Sequence, residues 1–154
     1  MAYGEGADPR NATLKTGSYS KGPGKILAVD GTNTLDLSAV TEVPLGISAG
    51  DSSRTAALAL DTTAGATVSY YPLGGVLMVQ VDAASTFDLG DTVYVGASGL
   101  ATSTAGSNKK LGLYVGDSAH AATALVANGN ADTDGTLLSE GAMIPVDTHG
   151  AAIA

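Results

Sequence analysis

Short apolar segments separated by turn-forming residues follow one another along the chain from residue 26 onward. The segment 34–40 alternates polar and apolar residues, which is typical of a strand with one buried face. The run 76–81 is almost continuously apolar and predicts a central strand covered on both faces, whereas 143–146 predicts a final edge strand. The predicted strands are 26–29, 34–40, 43–47, 55–60, 67–71, 76–81, 92–95, 100–104, 111–115 and 143–146.

The spacing of these segments determines the predicted fold class. About ten short strands at intervals of roughly 8–12 residues are typical of a β-sandwich or a β-barrel. Residues 119–127 fit either a strand or a helix because they are rich in alanine. We therefore predict an all-β fold, a small barrel-like or sandwich-like knob of about ten short strands.

The beginning of the chain follows a different pattern. Residues 1–25 are rich in Gly, Ser, Thr and Lys, and Leu14 and Tyr19 are their main large apolar groups. The segment 21–25 combines glycine, proline and lysine, which interrupts regular structure. We therefore predict an extended N-terminal arm over residues 1–25, followed by a β knob domain over residues 26–154.

The composition indicates a core of small side chains. The 154 residues include no Trp, one Phe, six Tyr and 21 Gly. Small side chains bury little area each, and burial is worth roughly 25 cal/mol per Å². The glycines add to the conformational entropy lost on folding. Burial of additional apolar area in an oligomer is therefore expected to stabilise this fold.

The charge excludes two classes of partner. Fifteen acidic and seven basic residues give a formal net charge of −8. Nucleic acids and anionic membranes both attract positive surfaces, so neither is an expected partner. Four of the seven bases lie within the first 25 residues, which makes the predicted arm mildly basic and the knob strongly acidic. There is no membrane-length apolar run and no signal-peptide pattern, so a protein made and used in the cytosol is expected.

Catalytic residue patterns are lacking in the sequence. Cysteine is absent, and the two histidines, His120 and His149, are a poor basis for a triad or a metal site. Most aspartates stand beside glycine or at strand ends, where Asp commonly forms turns. The segment 132–135 resembles part of a calcium loop, but its twelfth position is Met143 instead of Glu. We expect no enzyme activity, no cofactor, no metal and no small-molecule substrate; a carboxylate-dependent hydrolase is the weakest alternative.

One part of the sequence resembles a known family. An apolar strand at 75–81 is followed by Gly90 and Asp91 before a second strand, then by a glycine-containing loop at 98–100 and a Leu-Gly-apolar strand at 111–116. This order resembles the capsid cement (head decoration) proteins of tailed bacteriophages. In the turn, glycine supplies a permissive backbone and aspartate a cap. Residues 118–142, a long Ala, Asn and Asp stretch, have no counterpart in this pattern.

The resemblance implies a partner and a location. Cement proteins are compact β folds on the outer surface of the phage head, often homotrimers, which clamp the expanded shell. Their N-terminal arm commonly lies on neighbouring major capsid subunits, a role that residues 1–25 would have here. The expected location is thus the outer capsid surface of the virion. The predicted capsid-contacting residues are the apolar Leu14, Tyr19 and Ile26 and the basic Arg10, Lys15, Lys21 and Lys25.

A second class of function remains open at this stage. A receptor- or glycan-binding knob of a phage tail fibre or adhesin would need aromatic side chains that stack on sugars. Tyr70 and Tyr71, next to Pro72, are the candidate platform, and we expect at least one of them to be buried in the core.

Overall fold

The computed structural model describes residues 9–15, 19–21, 24–49, 59–62, 67–82, 85, 87–116 and 143–150. These residues form twelve strands and one short 3-10 turn at Ala97–Gly99. The strands are β1 (Arg10–Leu14), β2 (Tyr19–Lys21), β3 (Ile26–Val29), β4 (Thr34–Leu37), β5 (Pro44–Ser48), β6 (Ala59–Thr62), β7 (Thr67–Pro72), β8 (Val76–Gln80), β9 (Thr92–Val95), β10 (Ala101–Thr102), β11 (Lys110–Tyr114) and β12 (Met143–Asp147).

The all-β prediction is confirmed, and most predicted strands have an observed counterpart. The predicted segment 55–60 overlaps β6 only at its end, and the ambiguous segment 119–127 lies outside the described residues. Two strands, β1 and β2, fall in the region predicted as an arm. Residues 10–14 are thus an extended strand that is built into a sheet.

The first sheet closes into a five-stranded barrel in the order β1-β4-β3-β5-β7. β1 closes it by pairing in parallel with β4 and antiparallel with β7. Side chains alternate between the two faces of each strand, so every second residue points into the barrel. The barrel interior is filled by one apolar cluster that consists of Leu14, Leu27, Leu35 and Val68.

The second sheet has the order β10-β9-β11-β12-β8. A parallel bridge between Val81 and Ala101 brings its two outer strands together. The predicted positions of two strands are therefore wrong. The segment 76–81 forms β8 at an edge of the ladder, whereas 143–146 forms β12 between β11 and β8. β8 is apolar because residues from the barrel cover its inner face, a tertiary contact that its own pattern does not reveal.

The two sheets share the larger of the two cores. Ile26 on β3 and Ile47 on β5 are barrel residues, yet they pack in the cluster of the second sheet together with Leu77, Ile144 and Tyr114. Alternation explains this arrangement, because each barrel strand offers one face to the barrel interior and the other to the second sheet. The two sheets are consequently packed against each other and not merely joined along the chain.

The turn that precedes β9 has the structure expected from its sequence. Gly90 has a φ of +89°, a conformation that glycine adopts without steric cost. The carboxylate of Asp91 accepts a hydrogen bond of 2.8 Å from the backbone N–H of Asp88. This contact is a local cap, which supports a structural role for Asp91.

Candidate functional site

The predicted contact residues on β1 fall into two groups. Arg10 is exposed at the beginning of the strand, and its cross-strand partner on β7 is Tyr70. Leu14 is only 1% exposed and belongs to the barrel core. The side chain of Leu14 therefore holds β1 in the barrel, and in this structure it is not available to a partner protein.

Lys15 directly follows β1 and remains at the surface. Its ammonium group lies 2.7 Å from Oδ1 of Asp30, in the turn between β3 and β4. The hydrogen bond to Asp30, followed by the attraction between the two charges, raises the pKa of Lys15 above its ordinary value. Since both side chains are exposed, water and salt weaken this ion pair and its contribution to stability is small. Its main effect is to hold the Lys15 side chain over the turn.

The other predicted contact residues lie at the junction of the two sheets or on β2. Lys25 is 2% exposed and Ile26 is fully buried, so both face the protein interior. Tyr19 and Lys21 lie on β2, which pairs with β6 in a separate two-stranded sheet. Of the seven predicted residues, Arg10 and Lys15 are the described surface positions, and a capsid contact for any of the seven stays a prediction.

A surface that the sequence analysis did not single out covers the outside of the second sheet. We call it the outer apolar face; its residues are Val76, Met78, Leu113, Val115 and Pro145. They alternate along their strands with fully buried residues of the larger core, so they point away from it.

Strand register makes this face continuous. Pro145 pairs with Met78 across β12 and β8, and the N–H of Val115 donates to the carbonyl of Pro145 at 3.2 Å. Leu113 and Val115 are each 40% exposed. Contiguous exposed apolar residues of this kind often mark a protein–protein contact.

One acidic group lies between two residues of the outer apolar face. Asp147 pairs with Leu113 on one side and with Val76 on the other. Its Oδ1 accepts a 3.0 Å hydrogen bond from the backbone N–H of His149 and lies 2.6 Å from Nδ1 of the same residue. The backbone hydrogen bond, followed by the side-chain hydrogen bond, lowers the pKa of Asp147 below its ordinary value of 3.8. Asp147 is thus kept ionised beside an apolar surface.

The two tyrosines predicted as a sugar platform point in different directions. Tyr71 packs partly buried against the larger core, whereas Tyr70 packs against the barrel cluster. Tyr70 also lines a cavity of about 440 Å³ that includes residues from all five barrel strands. The structure therefore separates the two rings and brings one of them to an open cavity.

The described part of the chain contains neither a cluster of metal-ligating side chains nor a membrane-length apolar helix. Within those ranges, no three His, Asp or Glu residues cluster closely enough to hold a metal ion. The same residues include no helix with the length and apolar character that crossing a membrane requires. His149, one of the two histidines, contacts Asp147 alone among the described acidic side chains.

Comparisons with known proteins find a protein family and a similar solved structure. A family model described as phage cement protein matches residues 23–129, more than half of the chain. Among solved structures, the N base of head fiber gp8.5 in bacteriophage phi29 is similar, with 18% sequence identity and a TM-score of 0.51. That similarity covers 91% of this chain and 92% of the phage protein, and at this identity it shows a shared fold. A comparison with curated proteins finds no match.

The sequence pattern alone does not identify the outer apolar face. The segments that carry it alternate between inward and outward positions, yet both positions are apolar in β8. An alternating pattern cannot reveal which apolar face is buried when neither face is polar. Tyr70 is the one residue of the barrel cavity that the sequence analysis singled out. The lining comes from strands that are distant in sequence, so no local pattern indicates the cavity.

Proposed function

Because this chain belongs to the phage cement protein family, we propose that it is a structural protein that binds the outer surface of a phage head. It would bridge major capsid subunits and stabilise the expanded shell after synthesis in the host cytoplasm. The family match over residues 23–129 is the observation that carries this proposal. The action is mechanical and involves no chemical step, because each bound copy raises the energy needed to separate the subunits that it joins. Many modest contacts over a shell add to a large stabilisation.

The proposed capsid contact uses the basic side chains near the N-terminus. Arg10 and Lys15 are exposed on the barrel, and Tyr19 and Lys21 lie on β2. The rest of the chain is strongly acidic, so these bases would make the region near the N-terminus positive relative to the remainder of the molecule. Such a region would orient the protein on an acidic capsid surface and speed association more than it would strengthen the final complex.

The proposed contact between copies is the outer apolar face. A homotrimer formed through Leu113, Val115 and Pro145 would bury apolar surface that the monomer leaves partly exposed. A core with no Trp and one Phe gives limited stabilisation, so burial between copies would add to it. The carboxylate of Asp147 lies between Leu113 and Val76 at one end of this face and would keep its backbone hydrogen bond from His149.

The capsid contact can be tested with expanded phage heads that lack the protein. Wild-type protein should sediment with the heads and raise the temperature at which they lose DNA. The double variant Arg10→Glu and Lys15→Glu should bind more slowly and with a weaker dependence on salt. Failure of the wild-type protein to bind any expanded head would contradict the proposed function.

A matched control separates a local contact from a general effect of charge. Lys109→Glu with Lys110→Glu makes the same change in net charge at two exposed bases of the second sheet. This control should bind heads more rapidly than the Arg10 and Lys15 double variant. Equal losses in both would show that net charge alone matters and that the basic residues near β1 have no special role.

The contact between copies can be tested by light scattering. Leu113→Glu should shift the molar mass from trimer toward monomer, because a charge would be buried without a partner. Val43→Glu is the matched control, since Val43 is 60% exposed and lies on the barrel outside the outer apolar face. A wild-type protein that remains monomeric at high concentration would rule out the trimer in solution.

A further inference from the structure

The barrel has one open end at which all five of its strands meet. β1, β4 and β5 begin there and β3 and β7 end there, as their parallel and antiparallel pairings require. The cavity of about 440 Å³ lies at this end, which we call the barrel mouth. Pockets that bind small molecules have volumes of about 300–1,000 Å³, so the barrel mouth has a suitable size.

The barrel mouth is closed on its inner side. The core residues Leu14, Leu27 and Val68 fill the barrel below it and are at most 5% exposed. Leu35, 3% exposed, belongs to both the core cluster and the cavity lining, and so forms the floor. The result is a pocket with one entrance and not a channel through the barrel.

A glycine makes room for the aromatic ring in this pocket. A Cβ atom at Gly46 would lie 2.5 Å from Cδ2 of Tyr70, so the ring can occupy its place only because residue 46 has no side chain. Tyr70 is partly exposed, and it lines the cavity with the apolar residues Ala12, Val29 and Leu45. The pocket therefore has an aromatic and aliphatic wall.

Neutral polar groups complete the lining. Asn11 and Asn33 both border the cavity. Oδ1 of Asn11 accepts a 2.8 Å hydrogen bond from the hydroxyl of Ser69 on β7, and its NH₂ group has two further donor hydrogens. None of the described residues that line the cavity is charged. A phosphate or a carboxylate ligand would therefore lose its hydration without gaining an opposite charge.

We propose that the barrel mouth binds a single neutral hexose unit of a glycan. A sugar ring has an apolar face of C–H groups, which fits an aromatic and aliphatic wall, and a rim of hydroxyls, which fits amide donors and acceptors. An aliphatic peptide side chain would make no hydrogen bond to the two asparagines, and an ionic ligand would meet no opposite charge. This activity is additional to capsid binding and involves a different part of the molecule from the outer apolar face.

One site is expected to bind a glycan weakly, and a particle that carries many sites is expected to bind more tightly. A hexose has about twelve non-hydrogen atoms, and ordinary ligand efficiency then gives a dissociation constant of about a millimolar. Many copies on one head would bind a glycan surface much more tightly than one copy does. The proposed site would therefore act on a multivalent surface and not as a receptor for a free sugar.

The test is a titration of the full-length protein with methyl glycosides of glucose, galactose and mannose. The amide chemical shifts in NMR spectra measure binding. At least one glycoside should shift the amide signals of Asn11, Asn33 and Tyr70 in a saturable way. Shifts confined to other parts of the protein, or no saturable shift with any glycoside, would overturn the proposal. Binding of apolar peptides without binding of a glycoside would overturn it as well.

Two variants test whether glycosides bind at the barrel mouth. Val29→Arg should block the pocket and weaken glycoside binding about tenfold or more, and Tyr70→Leu should do the same by removing the aromatic face. Val29 is 56% exposed, so its replacement leaves the core intact; Val43→Arg is the matched control and should bind like wild type. Unchanged binding in Val29→Arg would contradict the site. The same variant should still sediment with phage heads, which distinguishes a failure of this proposal from a failure of the capsid role.

Discussion

At the scale of single residues, two glycines set the distances between neighbouring strands. Gly112 lies where β11 passes β12, and a Cβ atom there would overlap the carbonyl oxygen of Asp147 and lie 2.9 Å from its carbonyl carbon. Gly46 makes room for the ring of Tyr70 in the same manner. Neither glycine has a positive φ, so the requirement is for space and not for an unusual backbone conformation.

The variant Gly112→Ala tests this requirement for space. The added methyl group should push β11 away from β12 and destabilise the protein by about 1–3 kcal/mol, the usual cost of overpacking. Urea denaturation measures the change. Ser107→Ala, in an exposed loop, is the control and should leave the midpoint unchanged. Equal midpoints for Gly112→Ala and wild type would mean that the two strands lie farther apart than described.

The lowered pKa of Asp147 predicts how the stability of the protein depends on pH. Because the folded protein lowers this pKa below 3.8, the carboxylate contributes stability that is fully present above pH 3.8 and is lost as the pH falls through the folded value. NMR titration of the carboxyl carbon should give a midpoint below 3.8. In Asp147→Asn the part of the pH dependence that comes from this group should disappear. A midpoint at or above 3.8 would contradict the hydrogen bonds described from His149.

At the scale of elements, the sequence predicts a strand well when its pattern is local. β3, β7, β9 and β11 lie within about one residue of their predicted ranges, because apolar runs between turn residues identify a strand without reference to its partners. β1 was missed as a strand because Leu14 is its single large apolar residue. Its stability comes from ladders to β7 and β4, strands that are distant in sequence.

The same reason explains which strand positions were wrong. In β8 both the inward-facing and the outward-facing residues are apolar up to Val79. This pattern does not show whether the strand is covered by a neighbouring strand of its own sheet or by residues of the barrel. The outer apolar face and the barrel mouth could not be predicted either, since each is assembled from strands that pairing brings together. The Asp91 turn could be predicted because its capping hydrogen bond, from the N–H of Asp88 to the carboxylate of Asp91, lies within four residues.

The role of Leu14 as the core residue of β1 is testable by substitution. Leu14→Ala should destabilise the protein by about 2–5 kcal/mol, as is typical of a large-to-small change in a core. Thr13→Ala, one residue earlier on the exposed side, should change stability little. Urea denaturation of both variants gives the comparison. A small effect of Leu14→Ala would indicate that β1 is detached from the barrel in solution and is free to serve as an arm.

At the scale of the whole molecule, the shared core connects the two sheets. Ile26 and Ile47 are cross-strand partners in the barrel, and both pack among residues of the second sheet. Unfolding of either sheet would expose the apolar surface of the other, so the two should unfold together. The barrel and the second sheet are in this sense one cooperative unit.

Hydrogen exchange measures this cooperativity. Amides in β3 and in β9, one from each sheet, should show the same opening free energy in wild-type protein. Ile47→Ala should lower both by the same amount, about 2–5 kcal/mol. Val43→Ala, at an exposed position, is the control. A loss of protection in β3 alone would show that the barrel opens independently of the second sheet.

The closing strand of the barrel also determines how the molecule responds to tension. β1 has a ladder on each side, one parallel and one antiparallel. Ladder hydrogen bonds run across the strand direction, so a pull on the chain ahead of Pro9, directed along β1, strains the bonds on both sides at once. Bonds strained simultaneously resist force better than bonds opened one after another. A tether to a swelling shell through this end of the chain would thus be mechanically strong.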